Sequence, residues 1–161
     1  MLELGTSGTY ALLLGAASSV TVEVGALGAV ELEPGAFVYV GSAFGPGGLA
    51  ARLRRHVQPR KSSPHWHVDY LRAALSLHGA WISPDENRHE CTWAQSIARL
   101  ESSSVPLSGA GASDCLCSTH FFRIAPLAGA GSDQAQSQIE NELTGTHTYV
   151  RVSGLRQHLL T

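Results

Sequence analysis

A chain of 161 residues and 17.0 kDa, 43% hydrophobic and 15% charged, can bury a core of its own as one domain, which excludes a disordered or fibrous protein. A formal net charge of -2 excludes a uniformly basic nucleic-acid coat, but the charge is unevenly spread. No Asp or Glu occurs from Pro34 through Val68, whereas Arg52, Arg54, Arg55, Arg60 and Lys61 supply five of the eleven basic residues. Such a local footprint suits phosphate, and whole-chain charge is a poor guide to it.

Three cysteines cannot make a fully paired disulfide framework, and Cys115 and Cys117 are too close to bridge without strain. A reducing, cytoplasmic setting is therefore expected. Glu3 stands where a secretory signal would carry Lys or Arg, and no apolar run reaches membrane-spanning length.

Gly8 to Leu14 alternates as a first strand, with Tyr10, Leu12 and Leu14 on one face and Thr9, Ala11 and Leu13 on the other. Val20 to Val24 and Leu27 to Leu32 predict a hairpin around Gly25 and Gly28, and Glu33-Pro34-Gly35 predicts the next turn. A β-branched and aromatic run, Ala36 to Val40, follows and is closed by Gly41. The glycine-rich turn after it leads into a basic helix whose first turn suits Pro46. Leu49, Leu53 and Val57 form the inward stripe of that helix, and Arg52 and His56 share the face at its border. Free amides at a helix N-terminus, joined by a guanidinium one turn in, predict a phosphate-handling site. The lack of a Gly-Lys-Ser/Thr after the glycines excludes a nucleotide-binding P-loop.

Gln58 to Pro64 reads as a basic loop, and Val68, Leu71 and Leu75 as the stripe of a second helix. His65, His67 and Asp69 diverge around that helix and do not read as a metal site, so His65 and His67 are read as substrate-side or structural residues. Leu77 to Ser83 predicts a strand, and about His89 to Leu100 a third helix. There Glu90 shares its face with Trp93, Ala94 and Ile97. A carboxylate on an inward face needs an arginine, a metal ion or a water network as partner. Cys91, Cys115, Cys117 and His120 have donor types that suit structural zinc, with buried packing cysteines as the alternative; Asp114 and His120 could instead reach a catalytic metal or a DNA backbone. His120 to Ile124 predicts the last core strand, Ala125 to Ser137 a connector, Gln134 to Leu143 a helix and His147 to Val152 a strand.

Gly8-Thr9-Tyr10 on one strand, Tyr39-Val40-Gly41 on another, and Leu49-x-x-Arg52-Leu53-x-x-His56 after them resemble the GIY-YIG nuclease superfamily. His65-Trp66-His67-Val68-Asp69-Tyr70-Leu71, Glu90-Cys91 and Asp114-Cys115-Leu116-Cys117-Ser118-Thr119-His120 are similar to its Uri-type branch. The resemblance implies a small, mostly antiparallel sheet flanked by helices, an α+β nuclease domain over residues 1-124 with an extension over 125-161. It also implies an endonuclease acting on DNA, in which Glu90 binds Mg²⁺ or Mn²⁺. Tyr10 would deprotonate or orient the attacking water with His56 as proton relay, Tyr39 would position that water, and Arg52 would neutralise transition-state charge. Tyr10 is a poor base unless its neighbours lower its pKa. Arg54, Arg55, Arg60, Lys61, His65 and His67 would contact nucleic acid. Thr9 departs from the usual apolar residue of the first motif, and Ser113, Asp114 and His120 occupy the region where many such nucleases carry an asparagine. A non-cleaving nucleic-acid-binding module on the same fold is the alternative.

Overall fold

The computed structural model describes residues 4–58, 64–112, 115–125 and 132–160. Arg60, Lys61, Ser113 and Asp114 lie outside the described residues. Five of the strands that form the main sheet are β1 (Gly8–Ala16), β4 (Gly35–Ala43), β5 (Ser76–Ser83), β7 (Phe121–Ile124) and β8 (Thr148–Arg151), with a two-residue strand, β6 (Ser103–Ser104), at one edge. The order is β6-β7-β4-β1-β5-β8 and every pairing is antiparallel. The expected hairpin forms a separate two-stranded sheet of β2 (Val20–Glu23) and β3 (Ala29–Leu32), with Val22 opposite Val30.

β1 lies between β4 and β5 with helices packed on both sides of the sheet, which is why it carries apolar residues on both faces. Tyr10, Leu12 and Leu14 face a core shared with Phe37, Leu49, Leu53 and Leu71. Ala11 and Leu13 face a second core with Val38, Trp81, Trp93, Ile97 and Ile139. The first core is covered by α1 (Gly48–Val57), α2 (His67–Ala74) and α5 (Val152–Leu159), and the second by α3 (Glu90–Ala98) and α4 (Ser132–Glu140). Leu12, Leu13 and Leu14 are buried to 1% or less, and burial of each contributes roughly 1.5–3 kcal/mol. None of these helices is long and apolar enough to cross a membrane.

The structure corrects the predicted element ends. β4 runs through Gly41 to Ala43, because Gly41 pairs with Tyr10 and leaves room for the phenol. α1 begins at Gly48, two residues past Pro46, because Gly47 and Gly48 hold positive φ of 83° and 57°. A Cβ on Gly48 would also stand 2.4 Å from the Thr6 carbonyl oxygen. Two elements after residue 124 join the structure built by the first part of the chain: β8 pairs with β5 in the main sheet, with Ala80 opposite Val150, and Leu155 and Leu159 of α5 are buried in the first core. α5 was not foreseen, since Gly154 weakens a helical pattern that is short already.

Asp69 shows why α2 starts where it does. Its carboxylate accepts from the backbone N–H of His65 (2.8 Å) and Trp66 (3.0 Å) and pairs with Arg55 at 2.7 Å. Burial opposes the charge, but Arg55 and the two amides outweigh it and hold Asp69 below its ordinary value. A depressed folded-state pKa contributes stability above the unfolded value, and that stability is lost as pH falls through the folded one. Asp69→Ala should therefore destabilise the fold at neutral pH by about 2–3 kcal/mol, since it leaves charged and amide donors without their acceptor. Urea unfolding should show this gap at pH 7 and its closure below about pH 4; a gap that persists in acid would refute this account of Asp69.

Candidate active site

Tyr10 on β1, Tyr39 on β4 and the outer face of α1 meet around a cavity of about 420 Å³. The Tyr10 hydroxyl lies 2.7 Å from His56 Nε2, and the two rings are 5.1 Å apart. This arrangement depends on Gly41, where a Cβ would lie 2.5 Å from the Tyr10 oxygen. His56 is 1% exposed, and the backbone that carries it is held by Arg72, whose Nε–H donates to the His56 carbonyl at 2.7 Å. Burial raises the Tyr10 phenol well above its ordinary value, and Arg52 offsets only part of that. Tyr39 is likewise raised by burial. The condition under which Tyr10 would be a good base, a pKa lowered by its neighbours, is thus not met: at neutral pH both phenols are neutral O–H groups, because desolvation disfavours the phenolate.

Beside Tyr39, Gly111 holds φ +72°, and a Cβ there would stand 2.5 Å from the Tyr39 hydroxyl. Its N–H donates to His67 Nδ1 at 2.9 Å, which fastens the loop before residue 113 to α2. His65 and His67 both line the cavity. Arg52 lines it too, with its guanidinium carbon 4.1 Å from the centre of the Trp66 ring. Among the described residues Arg52 has no carboxylate partner, so its charge is available to the cavity.

Three expected phosphate contacts are not brought here. The first-turn amides of α1 are occupied: Leu49 N–H donates to the Thr6 carbonyl at 2.9 Å and Ala50 N–H to that of Leu4 at 2.6 Å. The N-terminal segment folds over that helix end, so these amides are not free for an anion. Arg55 is tied to Asp69, which gives it a structural part in place of the expected nucleic-acid contact. Arg54 is exposed but donates from Nε to the Leu159 carbonyl at 3.1 Å, on the side facing α5.

Glu90 opens α3, and the helix is placed against β1 by His89, whose N–H donates to Thr9 Oγ1 at 3.1 Å. Thr9, the departure from the usual apolar residue, thus holds the helix that carries the carboxylate. Glu90 is 23% exposed and lines the cavity. It accepts from the Ser42 hydroxyl, and its Oε1 lies 2.8 Å from His120 Nδ1. Burial opposes its charge, but His120, Ser42 and Arg88 together hold it below the ordinary value, so it is ionised at neutral pH. Among the described residues its direct partners are thus a histidine and a serine, and the arginine that sequence reasoning expected acts on it by charge as Arg88. Ser42 and Arg88 escaped that reasoning. The signals were present, since Ser42 directly follows Gly41 and Arg88 stands two residues before Glu90.

The donor atoms of Cys91, Cys115, Cys117 and His120 all lie within 4.8 Å of one another, and the group could hold a metal ion. Cys115 Sγ is 3.4 Å from His120 Nε2. Burial first, and then the neighbouring thiols, push Cys117 up to about 12, and burial raises Cys91 as well. Three thiolates gather only around a cation, which makes this donor set fit a thiophilic divalent metal and serve poorly as a nucleophile. The three cysteines are free thiols.

No curated protein and no solved structure matches the chain. The model of one family, described as Domain of unknown function DUF123, matches residues 9–142. That span takes in Tyr10, Tyr39, Arg52, His56, Glu90 and all four residues of the thiol cluster, so it is as a member of this family that the chain carries both the cavity and the cluster.

Proposed function

We propose that this protein is a metal-dependent endonuclease that hydrolyses DNA phosphodiester bonds on a domain of the GIY-YIG type, Uri branch. The observation that carries this reading is the convergence on one cavity of the Tyr10–His56 pair, an arginine that has no carboxylate partner among the described residues, and an ionised carboxylate.

Glu90 suits Mg²⁺ or Mn²⁺, which bind through one or two carboxylates and take their other ligands from water and substrate phosphate. Each of its oxygens keeps a second lone pair beyond the contacts to Ser42 and His120. A bound divalent ion would supply Lewis-acid polarisation of the scissile phosphate. The protein's own residues do the rest. Tyr10 holds the attacking water in its neutral form; as the water's proton passes to the phenol oxygen, the phenol proton passes to His56 Nε2 across 2.7 Å. Such a relay avoids a free phenolate, which burial disfavours. Tyr39 donates its hydroxyl at the cavity wall, and Arg52 offsets the charge that develops on the phosphoryl oxygens. Arg88, His65 and His67 flank the nucleotide. The thiol cluster takes Zn²⁺, whose three-cysteine, one-histidine set it matches in type and number.

The test is cleavage of end-labelled single-stranded and duplex DNA with Mn²⁺ or Mg²⁺, beside a chelated control. Metal-dependent product from either form is expected. Binding without product from both forms would replace this reading with that of a non-cleaving nucleic-acid-binding module.

A further inference from the structure

We propose that a metal ion at the thiol cluster positions Glu90, with His120 as the physical link between the two. The inference rests on the assignment of a metal to the cluster and of Glu90 to the cavity, and it adds a dependence of one on the other.

An imidazole has two ring nitrogens, and in His120 they face different sites. Nε2 lies 3.4 Å from Cys115 Sγ, within the cluster, and Nδ1 lies 2.8 Å from Glu90 Oε1. The ring has little freedom to turn elsewhere, because His120 is fully buried and its backbone is held at both groups. Its N–H donates to the Ala110 carbonyl at 2.8 Å, and its carbonyl accepts from Val40 N–H at 2.9 Å. Glu90 and Cys91 are neighbours on the first turn of α3, so the carboxylate and one thiol move together.

The Nδ1 contact meets the distance of an ion pair but lacks the alignment of a hydrogen bond. Ligation at Nε2 puts the ring proton on Nδ1 and fixes the ring plane, which makes Nδ1–H a donor aimed by the metal. A carboxylate behind a ligating histidine is a recurrent arrangement that raises ligand basicity. Glu90 then has two duties: it accepts from His120 behind the cluster and presents its remaining lone pairs to the cavity. Because coupling between two binding sites is reciprocal, a metal that orders Glu90 must itself bind less tightly when Glu90 is removed.

The experiment titrates the purified metal-free protein with Co²⁺ alone and reads the visible absorption of the cobalt–thiolate chromophore. Wild type should bind with the spectrum of a three-sulfur, one-nitrogen site, and Glu90→Ala should weaken binding about 10- to 100-fold. Glu90→Gln keeps an acceptor oxygen for Nδ1–H and should fall between the two. Ser42→Ala, which removes the other partner of Glu90 and leaves His120 alone, should bind as wild type does. Equal affinity of wild type, Glu90→Gln and Glu90→Ala overturns the coupling, and so does a wild type without the chromophore. Neither result bears on DNA cleavage, and a wild type that shows the coupling but never cuts DNA defeats the nuclease reading alone.

Discussion

Arg52→Ala should lower the rate of metal-dependent DNA cleavage by about 100- to 1000-fold while leaving the fold intact. Arg52 is the residue of the basic stretch that reaches the cavity without a carboxylate partner among the described residues. Its stack on Trp66 holds the guanidinium plane in place before substrate arrives, so little reorganisation is needed as phosphoryl charge develops. Arg52→Lys should not restore the rate, since an ammonium keeps the charge but loses both the stacking plane and the paired donors. Single-turnover cleavage of whichever DNA form wild type cuts, with thermal melting of each variant, reads the effect. A folded Arg52→Ala protein that cuts at the wild-type rate would end the assignment.

Gly41→Ala should be at least as damaging, although the substitution adds only a methyl group. That methyl would meet the Tyr10 hydroxyl at 2.5 Å, far inside contact distance, and the phenol must move away from His56. Losing the Tyr10–His56 relay should cost about 10²- to 10⁴-fold in cleavage rate, the usual range for proton transfer by a positioned group. Tyr10→Phe should fall in the same range, because it removes the hydroxyl and leaves the ring in the core. The double variant should be little worse than either single one, since both changes break one unit. Additive losses would mean that Gly41 matters for another reason, such as the register of β1 against β4.

Much of the site was legible because its parts follow local periods. Strand alternation put Tyr10 on the face opposite Thr9 and Ala11, and helical spacing put Arg52 and His56 on one border of α1; the structure has both. The same spacing put Glu90 on the inward side of α3 with Trp93 and Ile97. Where the reading failed, two local rules were each correct but a distant segment decided between them. The N-terminus of α1 has the amides of an anion site, yet Leu4 and Thr6 supply their acceptors. Arg55 has the charge for phosphate, yet Asp69, fourteen residues on, holds it.

The class of fold came from resemblance to a known family; the sequence by itself determined the hairpin between the tyrosine strands, the inward faces of the helices and the residue types able to gather around a metal or a phosphate. These depend on repeats of two and 3.6 residues and on side-chain chemistry, which are properties of short stretches. Only the tertiary structure decided that β8 and α5 join the main sheet and the first core, that Tyr10 meets Gly41 and His56, and that one buried histidine faces both the thiols and Glu90. A period states which way a side chain points. What it meets there is set by strand register and by packing between segments far apart in the chain, and it is these that bring His120 against a carboxylate thirty residues before it.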